Sequence, residues 1–348
     1  SQGCVAVKGN ASSCMAIHSD STSVSGWQLA SSGRYFKSFR HFSGKEENKQ
    51  RLIQNTEVIN YTSLINLSLT RIINNRWSVI VDLPISNNVR SSLYEHGLVN
   101  GTYIKKERNT TASFGIGDIR FAAYRWLLDP STNHNGNIQL GLGIKLPTGD
   151  YNYKDYNYNV GPNGSKELRP VDQSIQLGDG GTGITLELNT FYNILHNISV
   201  YGNLYYLSNP REQNGTRTFR ETLSPNLANE AIMSVPDQYM VRTGINYTPN
   251  MIKNLSLSAG VRLEGIPVYD LIGKSGDFRR PGYIWSVEPS VNYEYKNVTL
   301  FASIPFAIER NRTQSVTDKL NSIIRNTHVQ GDAAFADYTI NIGIATRF

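Results

Sequence analysis

Residues 337–348 read Asp-Tyr-Thr-Ile-Asn-Ile-Gly-Ile-Ala-Thr-Arg-Phe and end the chain. The large apolar side chains fall on one parity and the small or polar ones fall on the other; the apolar set is Tyr338, Ile340, Ile342, Ile344 and Phe348. Alternation with a period of two residues is typical of a β-strand with one apolar face. In a soluble sandwich a second sheet would cover that face. The stretch therefore decides the fold only if the rest of the chain repeats it.

The length of 348 residues is compatible with one large barrel or with two ordinary domains. No run of about eighteen apolar residues occurs, so we exclude membrane-spanning helices. A transmembrane barrel passes that test, since only every second residue of each strand meets lipid. The 20 Tyr, 12 Phe and 4 Trp residues are enough to furnish aromatic girdles at the two membrane surfaces.

Segments in which apolar and polar residues alternate recur along the chain. The connections between these segments are alternately short and long. We predict twelve strands, near residues 26–36, 56–71, 77–86, 113–127, 137–147, 182–193, 197–207, 238–248, 254–266, 282–295, 297–309 and 337–348. Most are longer than the ~5 to 6 residues usual in soluble sheets, and they match the ~9 to 11 residues of a tilted transmembrane strand. The sequence predicts an all-β fold, a single antiparallel transmembrane β-barrel of about twelve strands over residues 26–348.

The terminal strand, with Phe348 as its last residue, resembles the final strand of bacterial outer-membrane barrels, which acts as a signal to the barrel-assembly machinery. The order of strands and loops from Gly26 to Phe348 is similar to that of porin-like outer-membrane proteins, including phenol-degradation-pathway transporters. The resemblance carries no substrate-specific motif. It implies a barrel surrounded by outer-membrane lipid, with short periplasmic turns, long extracellular loops and both termini in the periplasm. Passive transport of small solutes is the function it implies.

The residues on the polar face of the predicted strands include charges of both signs. A charge in lipid is costly, so we expect this face to point into the barrel. The candidate lumen-lining residues are Asp118, Arg120, Lys145, Glu187, Arg242, Arg262, Glu264 and Glu288, with Arg34, Asp82 and Asp337 on the same parity. Two interpretations remain open. The charges form salt bridges that brace the wall, or they create a transverse field across a small aqueous passage.

Three functions follow for such a barrel: a channel for small solutes, a non-conducting subunit or scaffold that binds other envelope proteins, or a hydrolase at the rim. A hydrolase needs a His beside a nucleophile or an acid, and His96 after Ser91 and Ser92 is the best candidate. No Gly-x-Ser-x-Gly element occurs, and we assign no catalytic residues. The net charge of +6 is dispersed among acids, which disfavours nucleic acid as a partner.

Residues 1–25 are small and polar, and we expect a short periplasmic segment that begins at the mature terminus of an exported protein. Cys4 and Cys14 would form a disulfide in an oxidising compartment; free thiols and half of a metal site are the alternatives. We predict no cofactor and no metal site. The loop acids Asp150, Asp155, Asp172 and Asp179 offer oxygen ligands for calcium, but their spacing matches no known calcium loop.

Overall fold

Twelve long antiparallel strands form the molecule in a computed structural model that describes residues 25–93, 108–218, 223 and 225–348. The strands are β1 (Gly26–Ser43), β2 (Ile59–Ile72), β3 (Trp77–Ser92), β4 (Asn109–Ile116 and Arg120–Trp126), β5 (Gly136–Lys145), β6 (Gly183–Leu195), β7 (Ile198–Ser208), β8 (Gln238–Tyr247), β9 (Leu255–Ile266), β10 (Gly282–Tyr295), β11 (Val298–Ser303 and Phe306–Asn311) and β12 (Ala333–Arg347). Each strand pairs with the next one along the chain. The predicted all-β fold is confirmed.

The sheet closes because the last strand pairs with the first. The register between β1 and β12 runs from Gln28 opposite Arg347 to Phe42 opposite Ala333. At the end of the chain the amide of Trp27 donates to the carbonyl of Phe348 at 2.8 Å, and the Phe348 amide donates back at 2.9 Å. Closure gives the backbone N–H and C=O groups of the first and last strands hydrogen-bond partners, which lipid cannot provide. The terminal stretch is therefore the seam of the barrel.

The two faces of the wall are inverted relative to a soluble protein. Leu142 is 58% exposed and Ile344 is 46% exposed, whereas Asp82 and Glu288 are 3% and 2% exposed. Apolar side chains that point out of a closed cylinder need an apolar surrounding, and lipid supplies it. The alternation in the sequence thus has the physical cause that we predicted, and the fold is a single transmembrane β-barrel.

Two of the strands are interrupted, one beside a proline of its neighbour and one at a proline of its own. The gap in β4, at residues 117–119, lies beside Pro84 of β3, whose carbonyl accepts the Gly117 amide at 2.8 Å. The gap in β11 contains Pro305. Proline has no backbone N–H, so a ladder hydrogen bond is missing wherever it enters a sheet. Each interruption divides one transmembrane strand into two segments.

The two ends of the barrel differ in the length of their connections. The turn end carries the short connections 73–76, 127–135, 196–197, 248–254 and 296–297, together with both ends of the barrel sequence. The loop end carries 44–58, 93–108, 146–182, 209–237, 267–281 and 312–332. Its loops contain the helices α1 (Lys49–Ile53) and α2 (Val316–Arg325), strand Glu46–Glu47, the paired strands Lys154–Asn157 with Glu167–Pro170 and Gln213–Arg217 with Ile232–Ser234, and short 3-10 helices at Pro162–Gly164, Gln173–Ile175 and Pro225–Glu230. Of the helices in the described residues, none combines the length and apolar character that a membrane crossing requires.

Several predicted boundaries at the loop end were wrong. β1 ends at Ser43 instead of residue 36, β3 ends at Ser92 instead of residue 86, and β12 begins at Ala333 instead of residue 337. Strand pairing continues there past the apolar belt, as in the pairing of Phe42 with Ala333. Hydrogen bonds hold these extensions, so apolar alternation does not mark them. Helix α1 also lies within the predicted loop 37–55.

Candidate functional site: the barrel interior and its mouth

One cluster of charges lies on the inner face of β3, β4 and β6. Nη2 of Arg120 donates to Asp82 at 2.6 Å, and the same guanidinium forms an ion pair with Glu187. The hydroxyl of Tyr124 donates to Glu187 at 2.9 Å. Strand β5 separates β4 from β6 and carries Gly141 here, where a Cβ would come 2.5 Å from the Tyr124 ring. Two carboxylates and one guanidinium give this group, the acidic network, one net negative charge.

A second cluster joins β8, β9, β10 and β1. Arg242 donates from Nε and Nη2 to the two carboxylate oxygens of Glu288 at 2.9 and 3.1 Å. Arg262 donates to Glu264 at 2.8 Å and lies 3.9 Å from Glu288. Arg34 reaches Glu264 at 3.4 Å. Three guanidinium groups and two carboxylates give this group, the basic network, one net positive charge.

The centres of the two networks, Arg120 on β4 and Glu288 on β10, lie on opposite sides of the barrel. β3, β4 and β6 are about half a turn of the ring from β9 and β10 in the strand order. The bond between Arg34 and Glu264 connects β1 with β9, which are not neighbours, so it must cross the interior. All the charged members are buried. Buried charges interact strongly because little water screens them, so the ion pairs hold each network together.

The loop end is occupied by residues 171–181, which we call the mouth segment and which are buried throughout. Asp172 accepts two hydrogen bonds from Arg280, at 2.9 and 2.7 Å, and lies 3.5 Å from Arg90 of β3. Its Oδ1 also accepts the Ser174 amide at 3.0 Å, which starts the 3-10 helix Gln173–Ile175. Burial would raise the pKa of Asp172, but Arg280 and Arg90 hold it well below its usual range.

The mouth segment crosses the opening from one side to the other. On the β3 side, Nη1 of Arg90 donates to the Ser174 hydroxyl at 3.2 Å. On the far side, Nε2 of Gln173 donates to the carbonyls of Ser234 and Phe278 at 3.0 and 3.2 Å. These carbonyls belong to the connections β7–β8 and β9–β10. The segment is thus held at both sides of the mouth by hydrogen bonds to side chains and to loops.

The far end of the mouth segment is tied to the wall by a lysine. Lys145, the last residue of β5, forms ion pairs with Asp179 and, at 3.3 Å, with Asp118. Burial would raise the pKa of Asp179, but Lys145 holds it below its ordinary value. Gly178 packs closely at this point, since a Cβ there would come 2.5 Å from the carbonyl oxygen of Gly149. Backbone can approach backbone this closely only without a side chain.

The eight candidate lumen-lining residues belong to these clusters. Arg120 and Glu187 lie in the acidic network; Arg242, Arg262, Glu264 and Glu288 lie in the basic network; Asp118 and Lys145 hold the mouth segment. Arg34 and Asp82 complete the two networks, whereas Asp337 pairs with Arg40 and Arg310 at the loop end. Their role in conduction stays a prediction.

Other predicted sites have different outcomes. Cys4, Cys14 and His96 lie outside the described residues, so the disulfide has no support from the structure and stays a prediction. Of the four loop acids considered for calcium, Asp172 and Asp179 pair with cations and Asp155 accepts the Ala112 amide at 2.7 Å. The terminal residues are where the predicted strand puts them: Tyr338, Ile342, Ile344 and Phe348 are exposed and Ile340 is half-buried. Their action as an assembly signal stays a prediction.

Sequence reasoning missed Arg90 and Arg280 as partners of Asp172. Arg90 fell in the predicted loop 87–111, although it continues the inward parity of Asp82 and Ser86 along β3. That parity was the signal that could have found it. Arg280 lies in an irregular loop, where no periodicity indicates the direction of a side chain.

Comparisons with known proteins reveal the fold but no relative in sequence. No protein-family model matches the chain, and no curated protein sequence matches it. Among solved structures, the COG4313 outer membrane channel from Pseudomonas putida F1 matches with a TM-score of 0.58 and 10% identity, over 94% of this chain and 97% of that one. The translocator domain of the autotransporter NalP from Neisseria meningitidis has a TM-score of 0.46 and 10% identity, over 96% and 92%. The toluene transporter TodX from Pseudomonas putida has a TM-score of 0.46 and 9% identity, over 92% and 89%.

Proposed function

We propose that the chain is an outer-membrane channel for small polar solutes. The observation that carries the proposal is the pair of buried ionic networks in the interior, one around Arg120 with one carboxylate in excess and one around Glu288 with one guanidinium in excess. A wall that needed only bracing would be served by balanced pairs or by apolar side chains, since burying ions is costly. Unbalanced networks instead orient a dipolar or charged solute as it passes. The shared fold with an outer membrane channel supports the proposal at the level of architecture.

The mouth segment keeps the channel closed at the loop end in this conformation. It crosses the opening and is held by Asp172 and Asp179, each in contact with buried cations. Conduction requires that the segment move while the barrel stays intact. The barrel wall does not depend on this segment for its strand pairing, because the wall strands pair with one another.

A non-conducting scaffold is the second candidate, and one observation favours it. The ion pair between Arg34 and Glu264 crosses the interior, and such a bridge narrows any passage. A scaffold would keep its interior closed and use the ordered loops to bind other envelope proteins. This function predicts no conduction even after the mouth is opened.

Planar-bilayer recordings separate the two candidates. The full chain is compared with a variant in which residues 172–177 are replaced by a glycine-serine linker of equal length. A channel gives small or rare currents in the full chain and larger, steady currents in the variant, because the mouth is then unblocked. Silence of both proteins, when both show the heat-dependent gel mobility of a folded barrel, would reject the channel and favour the scaffold.

The orientation belongs to the same proposal. The turn end and both termini face the periplasm, the loop end faces outward, and the barrel-assembly machinery recognises β12. In a background that carries Cys4→Ser and Cys14→Ser, a cysteine introduced at Asp150, in the exposed part of the β5–β6 connection, should react with an impermeant maleimide on whole cells. A cysteine introduced at Lys296, in the tight turn between β10 and β11, should react only after the outer membrane is permeabilised. The reverse pattern would overturn the orientation.

A further inference from the structure

Two tryptophan–arginine pairs lie side by side on the outer surface of the barrel at the turn end. The guanidinium of Arg71 lies 5.2 Å from the ring centroid of Trp27, and that of Arg125 lies 5.2 Å from the ring of Trp77. Both tryptophans are about two-fifths exposed, and Arg125 is exposed as well. The arginines are not part of either network in the interior. Each cation stacks on a flat aromatic face instead.

The strand register brings the two pairs into one patch. Arg71 of β2 lies opposite Trp27 of β1 on one side and Val79 of β3 on the other. Arg125 of β4 lies opposite Trp77 of β3. The two arginines are thus two strands and two residues apart, with β3 between them, which puts their Cα atoms roughly 12 Å from each other. Arginine side chains are long enough to converge from that distance.

The patch belongs to the surface that meets lipid. The same outward parity carries exposed apolar residues on the same strands, including Leu69, Val79 and Phe121. In contrast to the interior arginines, neither Arg71 nor Arg125 forms an ion pair with a carboxylate within the part of the chain that the structure describes. Two cations therefore remain at the membrane surface with an anion still to be supplied.

We propose that this patch binds the headgroup of an anionic glycerophospholipid. A phosphodiester oxygen pair matches the planar fork of a guanidinium, and each guanidinium is already oriented by stacking on tryptophan. Tryptophan rings at a membrane surface favour the level of the headgroups. The acyl chains of the lipid then run along the apolar face of β1–β4. The inference rests on the transmembrane barrel and not on conduction, so it survives if the scaffold function proves correct.

Native mass spectrometry of the full chain in detergent tests the proposal. The protein is titrated with phosphatidylglycerol and with phosphatidylcholine that has the same acyl chains. The double variant R71Q/R125Q should bind phosphatidylglycerol about thirtyfold more weakly, because each basic residue near an anionic surface contributes roughly fivefold. Binding of phosphatidylcholine should not change.

The matched control is Lys296→Gln. Lys296 is a single cation over the ring of Tyr295, in a short turn elsewhere around the same end. It removes positive charge at the turn end without touching the paired site, so its effect should be small. The variant R71K/R125K keeps the charge and serves if the glutamine variant fails to fold; it should lose several-fold in affinity because lysine lacks the planar fork.

Three results would overturn the proposal. An equal loss of phosphatidylglycerol binding in Lys296→Gln would mean that overall charge, and not this patch, attracts the lipid. Full competition by inorganic phosphate at the affinity of the lipid would mean that the patch binds free phosphate. Retention of wild-type affinity in R71Q/R125Q would exclude the patch altogether.

Discussion

The basic network in the wall and the Asp172 cluster at the mouth use the same chemistry with different attachments. In the wall, Glu288 joins arginines on β8 and β9, and its own strand is hydrogen-bonded on both sides. At the mouth, Asp172 joins one loop segment to Arg90 of β3 and to Arg280 of another loop. A buried ion pair therefore stabilises the part of the molecule to which its backbone belongs. In the wall that is the whole sheet, and at the mouth it is the position of one segment.

The largest expected effect is on the stability of the wall. Glu288→Ala removes the partner of Arg242 and one partner of Arg262, and it leaves buried guanidinium groups without compensation. Breaking a buried pair in this way costs about 3 to 5 kcal/mol of the free energy of unfolding. Urea unfolding in lipid vesicles measures it. The control is Glu309→Ala, whose partner Lys45 is exposed and whose pair is screened by water, so its effect should be far smaller.

The second effect tests the mouth side of the comparison. Asp172→Asn keeps an acceptor for the Ser174 amide but removes the charge that Arg280 and Arg90 share. Hydrogen bonds to charged groups contribute about 2 kcal/mol, so the ratio of open to closed mouths should rise roughly thirtyfold. Single-channel recordings measure it as the open fraction.

Asp150→Asn is the matched control for that variant. Asp150 lies in the same connection, is exposed, and accepts the Asn152 amide two residues further along the chain. Its open fraction should equal that of the wild type. A drop in urea stability of Asp172→Asn as large as that of Glu288→Ala would contradict the comparison, because the mouth would then be part of the same cooperative unit as the wall.

The sequence predicted the wall much better than the mouth, and the reason is physical. Lipid outside and water or paired ions inside force a strict alternation, so residues such as Glu187 and Arg262 reveal their direction by parity alone. The strand extensions at Ser43 and Ser92 lie beyond the apolar belt, where hydrogen bonds hold the strand and side chains no longer alternate. The predicted strand ends were therefore wrong outside the membrane, where lipid no longer requires apolar residues at alternate positions.

In the sequence of the mouth segment, the only structural signals were residues that favour turns. The stretch around Asp172 contains proline, aspartate and glycine, which build turns in many loops and do not reveal a partner. Arg280 is distant from Asp172 in the sequence, and the two meet only because the loops fold over one opening. Charge pairs between irregular loops depend on how the loops are arranged in space. No repeating pattern in the sequence indicates that arrangement.

A smaller effect is expected on charge selectivity, and it tests the difference between the two walls. Glu187→Gln removes one negative charge from the acidic network and leaves it neutral, so conduction should shift toward anions. Arg242→Gln removes one positive charge from the basic network and should shift conduction toward cations. Reversal potentials under a salt gradient measure both shifts, in a background that carries the opened mouth. Shifts of the same sign in the two variants would show that the two networks do not act on the passing ion as opposite charges.

The smallest expected effect is that of pH on the closed mouth. The closed conformation holds the pKa of Asp172 below that of an ordinary aspartate, about 3.9, because Arg280 and Arg90 outweigh the cost of burial. A carboxyl whose pKa is depressed in one state stabilises that state at every pH above its ordinary value, and the contribution is lost only as the pH falls through the depressed value. Conductance of the wild type should therefore stay low from neutral pH down to about pH 4. Recordings over this range check it, with Asp172→Asn as the reference for an open mouth. Opening at a pH well above 4 would mean that a group other than Asp172 holds the segment, and the distinction between wall and mouth would then rest on a different residue.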